Sequence, residues 1–337
     1  MGWTYSKAGI DLSKHRSMHR YVLELIDKLN NEIGYHVGGL GSYASTLKYR
    51  DLEISLHVDG VGTKTIVLQR LKKLRVAGWD CVAMNVNDVA CSGVKPIAII
   101  DYIAMPRADE ETFKEIVEGV VDAAKDAGVA ILGGETAILP DLVNGIDIIC
   151  TVFGIKKMDF ANRANIGDIV VGISSLGLHA NGYSLVRKIL EEAKLDYNSI
   201  VEDVNLSIEL ANPVAIYSNL ILEVIERNLI TSAAHITGGA FTKLRRIISS
   251  NIDIALTMPE PPKIFKLIMK LGNISIEEMY KVFNMGIGMV LTTSKNNVDA
   301  LVSYIEKHRF KAYILGEVVE GSGRIILKSF QGDKMIF

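Results

Sequence analysis

Short apolar runs that end in glycine-rich turns recur along this chain, and they limit its possible folds more than any other feature. ISLHV at 54–58 runs into DGVGTKT, and VAILGGET occupies 129–136. IVVGISS leads into LGLHANGYSLVRK at 176–188, and AAHITGGAF occupies 233–241. Each reads as a strand that stops where glycine frees the backbone. Helical stripes lie between them. SKHRSMHRYVLELIDKLNNEIG puts Met18, Val22, Leu25 and Leu29 on one face and stops at Gly34. AGWDCVAMNVNDVACSGVKP is a second helix, ended by Gly93 and Pro96, and VDALVSYIEKH is another. DEETFKEIVEGVVDAAKDAG has Asp109 as its cap, Glu110 and Glu111 in its first turn, and Gly128 just past its end. Pro213 is expected to open the helix PVAIYSNLILEVIERN. Strands and helices alternate in both halves, so each half is α/β to α+β.

The 337 residues exceed the roughly 250–300 at which one core stops growing, so two domains are expected. The charged, loop-like KKMDFANRANIGD at 156–168 divides them, giving 1–160 and 165–337. Lys and Arg number 37 against 39 Asp and Glu, a balance with no basic footprint for nucleic acid. No apolar run approaches the 18 or so residues of a membrane span. The first residues carry charges where a secretory leader needs an apolar core. MGWTYS matches a loose acylation pattern, read as chance. Cys81, Cys91 and Cys150 fit no metal spacing or disulfide framework. A cytoplasmic protein with reduced, buried thiols is the expectation.

VDGVGTKT fails the spacing of a Walker loop, because Gly60 and Gly62 are two apart and Thr63 precedes Lys64. Its residue types still suit an anion: glycine exposes N–H groups and Lys64 supplies a charge. Asp59 at a strand end is placed to hold a hard cation. The plain alternative is a tight hairpin with an exposed lysine. Asn85 and Asp88 are three apart and share a helix face. Glu135 follows Gly133 and Gly134 after a strand. Asp59, Asp88 and Glu135 with Lys64 favour a Mg²⁺–nucleotide site over three separate structural acids. Gly38, Gly39 and Gly41 sit within four positions, which suggests close approach of backbone to something. Asn181, Gly182 and Ser184 open a helix, a ready phosphate site, and Thr237, Gly238 and Gly239 repeat the idea. His179 and His235 each precede such a helix start, pointing to substrate binding or proton transfer.

VDGVGTK, NVND, GGETA, LGLHANGYSLVRK, AHITGG and EMYKVFNMGIGM resemble the signature blocks of the aminoimidazole ribonucleotide synthetases, or phosphoribosylformylglycinamidine cyclo-ligases. The blocks run in the family's order from about Tyr5 to Gly316. HANGYSLVRK and FNMGIGM are specific; VDGVGTK and GGET are shared with related ATP-using enzymes. The resemblance implies two α/β domains and a homodimer formed largely through N-terminal strands. It also implies purine biosynthesis: ATP phosphorylates the formyl oxygen of formylglycinamidine ribonucleotide, and the imidazole closes as phosphate leaves. On this basis ATP and Mg²⁺ are the cofactors, and Asp59, Asp88 and Glu135 hold the metal. Gly38, Gly39, Gly41, Lys64, Asn87 and Asp88 would hold the nucleotide. Asn181, Gly182, Ser184, Thr237, Gly238 and Gly239 would hold the ribose 5′-phosphate. Lys64, His179 and His235 are the catalytic candidates. Selenophosphate synthetase needs a cysteine before its glycine loop, but the first here is Cys81. A carbamoyl dehydratase needs a C-terminal cysteine, and the chain ends GDKMIF. A thiamine-phosphate kinase is not expected to carry HANGYSLVRK with FNMGIGM. A non-catalytic nucleotide-binding regulator stays open.

Overall fold

The computed structural model describes residues 2–156 and 158–337. Met1, which opens the MGWTYS pattern, and Lys157, in the candidate boundary, lie outside the described residues. The N-terminal sheet contains β1 (Val37–Gly38), β2 (Thr46–Tyr49), β3 (Leu52–Gly60), β4 (Val94–Met105), β5 (Ala130–Ile138) and β6 (Asp147–Lys156). Their order is β1-β2-β3-β6-β4-β5, with only β4 and β5 parallel. Helix α1 (Leu12–Glu32) precedes the sheet, α2 (Lys64–Leu71) and α3 (Arg75–Ala90) follow β3, and α4 (Glu110–Ala127) follows β4.

One face of this sheet is covered by α3, which also packs along α4. The helices can touch because each has a glycine at the crossing. A Cβ at Gly78 would lie 2.0 Å from the Ile116 carbonyl oxygen, and one at Gly119 would lie 1.8 Å from that of Arg75. The α4 caps form as the sequence expects: the Asp109 carboxylate accepts from Thr112 N–H at 3.0 Å, and Gly128 is left-handed. Alternation decides what β3 presents. Ser55 is buried and His57 and Asp59 share its face, while Leu56 and Val58 point to the other side and are 67% and 61% exposed.

The C-terminal half holds β7 (Ile169–Ser174), a small hairpin of β8 (Ile200–Val201) and β9 (Val204–Asn205), and six further strands. These are β10 (Ser232–His235), β11 (Ile252–Thr257), β12 (Ile287–Thr293), β13 (Ala312–Glu320), β14 (Ile325–Lys328) and β15 (Lys334–Ile336). Seven strands form one sheet in the order β10-β12-β7-β13-β11-β14-β15. Its helices are α5 (Tyr183–Glu192), α6 (Leu206–Glu209), α7 (Ser218–Glu226), α8 (Lys263–Leu271), α9 (Ile276–Val282) and α10 (Val298–Lys307), with a 3-10 helix at Ala240–Ile247. The fold is thus two mixed α/β halves, as the alternation implies.

Two local expectations fail for identifiable reasons. The Gly133–Gly134 pair does not turn the chain, because β5 continues through it, absorbing an irregularity in its pairing with β4. The helix expected from Pro213 starts only at Ser218. Residues 214–217 stay outside the helix because α3 competes for their backbone. The Asp80 carboxylate accepts from Val214 N–H at 2.7 Å, Asn87 Oδ1 accepts from Tyr217 N–H at 2.7 Å, and Trp79 Nε1 donates to the Val214 carbonyl at 2.8 Å. These bonds tie the two halves together behind the cleft described next.

Candidate active site

The site begins where β3 ends. Only Val61–Thr63 separates β3 from α2, so the chain makes a strand–glycine–helix turn there rather than a hairpin. Asn85 and Asp88 lie on one face of α3, as their spacing requires, and both meet His57. Asn85 Nδ2 donates to the carbonyls of Cys81 (2.8 Å) and Asp59 (3.2 Å), which aims its Oδ1 at His57. His57 Nδ1 therefore donates to Asn85 Oδ1 at 2.9 Å, and its Nε2 lies 3.5 Å from Asp88 Oδ2. On the other side, His235 Nδ1 donates to Asp88 Oδ1 at 2.6 Å. Burial alone would raise the Asp88 carboxyl, but the His235 hydrogen bond and charge outweigh it and hold it down at about 2. Asp59 moves the other way, pushed up by burial and then by the Asp88 charge. Two carboxylates thus face one cleft and repel.

His179 reaches the same space from the α5 loop. It is 1% exposed, and its ring centroid lies 6.3 Å from that of His235. Among the described residues, neither of its ring nitrogens has a hydrogen-bond partner, and neither does His235 Nε2. Burial, then the His235 and Lys64 charges, push the His179 pKa well down, so its ring is neutral. The two glycine turns of the C-terminal half converge here: a Cβ on Gly238 would sit 3.3 Å from Asn181 Oδ1. Thr63 Oγ1 and Ser184 Oγ are 3.0 Å apart, which brings the β3–α2 turn onto the α5 start. Gly182 has its own packing reason. It is left-handed, and a Cβ there would lie 2.2 Å from the Phe283 ring.

Three of the residues named from sequence stand elsewhere. The Lys64 side chain is fully buried and does not face the cleft. Its ammonium pairs with Asp80 at 2.6 Å, donates to the Asn212 carbonyl at 2.7 Å and lies over the Tyr183 ring. Burial lowers the Lys64 pKa and raises that of Asp80, and each charge offsets the other. A pair with no exposure cannot take a phosphate without opening the core. Asn87 is also closed: its Oδ1 accepts from Tyr217 N–H and its Nδ2 donates to the Ala215 carbonyl at 2.8 Å. Both ends of its amide serve the fold. Glu135 lies in the row Gly60–Ile149–Tyr102–Glu135 across the sheet, whereas Asp59 lies in the adjacent row with Cys150 and Asp101. Adjacent rows point to opposite faces, so Glu135 turns away from Asp59 and Asp88 within the chain. Among the described residues, no cluster of three His, Cys, Asp or Glu side chains could hold a metal.

Gly38, Gly39 and Gly41 line a cavity of about 450 Å³. Lys156, Arg163 and Arg246 line it too. Tyr43, from the same glycine loop, is buried and donates to the His235 carbonyl at 3.3 Å. Its ring lies under Arg246 (4.9 Å) and Lys243 (5.9 Å), so Tyr43 packs between the cavity lining and His235. Sequence reading passed over His57, Tyr43, Lys243 and Arg246. Two signals could have found them. His57 is two residues before Asp59 on a strand, hence on its face, and Lys243 and Arg246 are three apart, hence aligned on a 3-10 helix.

A carboxylate at a strand end, beside a cation-lined glycine cavity, thus sits within a fold of two mixed α/β halves. Solved structures agree on that fold. A HypE–HypF complex superposes with a TM-score of 0.64 at 20% identity, covering 88% of this chain and 93% of that one. A thiamine-monophosphate kinase from Stenotrophomonas maltophilia gives 0.64 at 18% identity, covering 92% and 96%. The family described as AIR synthase related protein matches twice, its N-terminal domain over residues 41–156 and its C-terminal domain over 165–328. The phosphoribosylformylglycinamidine cyclo-ligase of Saccharolobus solfataricus is 45% identical over 98% of this chain and 97% of its own length. That of Pyrococcus furiosus is 38% identical over 96% and 97%. The chain belongs to the phosphoribosylformylglycinamidine cyclo-ligase family. Its reaction is the ATP-dependent closure of formylglycinamidine ribonucleotide to aminoimidazole ribonucleotide, with release of ADP and phosphate, in purine biosynthesis.

Proposed function

We propose that this reaction takes place in the cleft formed by Asp59, Asp88, His57, His179 and His235, with Mg²⁺, in a cytoplasmic homodimer. The observation that carries the site is the pair Asp59 and Asp88, of which the Asp88 charge adds to burial in pushing the Asp59 carboxyl up, so that Asp59 ionises more readily when a cation is bound. Two carboxylates plus phosphate oxygens suit Mg²⁺. When bound, Mg²⁺ neutralises charge on the triphosphate. The remaining work falls to the chain. His235, fixed through Nδ1 by Asp88, has a buried Nε2 with no partner among the described residues, and this nitrogen takes the proton that ring closure releases once the bound substrate opens the way to it. Asn181, Ser184 and Thr237 with Gly238 and Gly239 surround the opposite wall, suited to the ribose 5′-phosphate. Gly38, Gly39 and Gly41 with Arg246 suit the nucleotide phosphates; a PurL of T. maritima with this fold has been solved complexed with AMPPCP. The domain boundary in this reading falls between 160 and 165.

A calorimetric titration with a non-hydrolysable ATP analogue tests the metal. Mg²⁺ should tighten binding to the wild type by about tenfold or more, and Asp59→Asn should lose most of that gain. An equal gain in both proteins would put the metal elsewhere.

The dimer rests on the outer face of the N-terminal sheet. Leu56, Val58 and Ile100 stand exposed on it, with Leu132 72% exposed on the edge strand β5. Such a patch on a sheet with an open edge suits self-association. Light scattering should give twice the 37.0 kDa chain mass, falling to one chain in Leu56→Asp. A wild-type monomer at micromolar concentration would remove the proposal.

A further inference from the structure

The 3-10 helix Ala240–Ile247 lays two cations along one face, and neither is spent on a carboxylate. Lys243 donates through Nζ to Thr237 Oγ1, and it and Arg246 both lie over the Tyr43 ring. Among the described residues, neither makes an ion pair within 4.0 Å, whereas Lys64, Lys266, Lys270, Lys281, Arg75 and Arg324 all do. Asp88 and Asp59 act on Lys243 through their charge at longer range. The Lys243 side chain is only partly exposed, so its charge is held in a cleft without a direct counter-ion. A desolvated, unpaired ammonium is unfavourable unless an anion completes the site. Its surroundings say which anion. Lys243 holds Thr237 while its charge acts on Asp88 and Asp59, and Arg246, one 3-10 turn on, lines the glycine cavity.

We propose that Lys243 is a catalytic cation of the phosphoryl transfer, taking the place that the sequence pattern gives to Lys64. Its ammonium binds the γ-phosphoryl oxygens as that group passes from ATP to the formyl oxygen, and Arg246 holds the phosphate chain toward the glycine loop. In the step, the bond from the γ-phosphorus to the β–γ bridging oxygen breaks, and that oxygen leaves with ADP, keeping the electron pair. A bond forms from the γ-phosphorus to the formyl oxygen. The ring nitrogen then attacks the formyl carbon, phosphate carries that oxygen away, and one proton is lost. Lys243 keeps its own proton throughout; it acts by charge and position. This rests on the cleft of Asp59 and Asp88 being the reaction centre. A cation in a fixed place, meeting charge only as it develops, raises kcat more than affinity.

The test is single-turnover rapid quench of the full-length protein with saturating ATP, Mg²⁺ and formylglycinamidine ribonucleotide, following ADP and aminoimidazole ribonucleotide separately. Lys243→Met should slow ADP formation by about 100-fold or more, with the apparent KM for the ribonucleotide changed less than about threefold. Lys243→Arg, which keeps the charge, should recover at least tenfold of that loss. The inference fails if Lys243→Met forms ADP at the wild-type rate. It also fails if only imidazole formation slows, or if Lys243→Arg is no faster than Lys243→Met. Should Lys243→Met not fold, the Lys243→Arg rate decides alone: within about tenfold of wild type supports the inference, and a larger loss overturns it. Asp88→Asn separates this from the site reading: if it too is wild type, the whole cleft assignment falls, not Lys243 alone.

Discussion

Asp88→Asn is expected to leave the protein folded and to lower kcat by about 10²–10³-fold or more. The substitution keeps the side chain's size. The amide oxygen can still accept from His235 Nδ1, so the buried hydrogen bond at the centre of the cleft survives. The charge is what goes. That charge orients both His57 and His235, and with Asp59 it makes the carboxylate pair suited to Mg²⁺. Steady-state turnover beside a thermal melt followed by circular dichroism checks both halves of the expectation. Wild-type turnover at saturating Mg²⁺ would contradict the account. So would a melting temperature that collapses along with activity, because Asp88 would then be structural.

Lys64→Met is expected to act in the opposite way, on stability first. It removes one partner of a fully buried ion pair and strands Asp80, a loss of about 3–5 kcal/mol. Asp80 keeps its bond from Val214 N–H, so part of its charge stays satisfied. Lys64→Met with Asp80→Asn should recover most of the stability, because no charge is then left in the core. Urea melts of the single and double variants measure this directly, and a double variant no more stable than Lys64→Met would contradict the pair as described. If Lys64 were a phosphate ligand, the single variant would instead melt like the wild type and bind ATP weakly.

Much of the cleft was legible because its residues obey local rules. Asn85 and Asp88 share a helix face by spacing, Asp59 stands at a strand end, and His179 and His235 precede glycine turns. Each of these predictions needs only the period of one element. Lys64, Asn87 and Glu135 stand apart from the Asp59–Asp88 pair in the single chain for reasons no local rule contains. Lys64 and Asn87 are claimed by backbone carbonyls of the other half, more than 120 residues away in sequence. Glu135 faces outward because the Gly133–Gly134 pair is a pairing irregularity inside β5 and not a turn. Lys243 hid in AFTKLRRIISSN, where the spacing of three puts Lys243 and Arg246 on one face but does not say what that face meets. Helix α1 shows the remaining limit. Its stripe of Met18, Val22, Leu25 and Leu29 is real but stays exposed in the single chain, so the pattern says which face is apolar and not what covers it.

The central claim is a coupled one: this chain spends one ATP to close one imidazole. The direct measurement gives the purified protein formylglycinamidine ribonucleotide, ATP and Mg²⁺ and quantifies ADP and aminoimidazole ribonucleotide in the same samples. The account predicts equal formation of both. ADP without the imidazole, or neither product with ATP still bound, would contradict it.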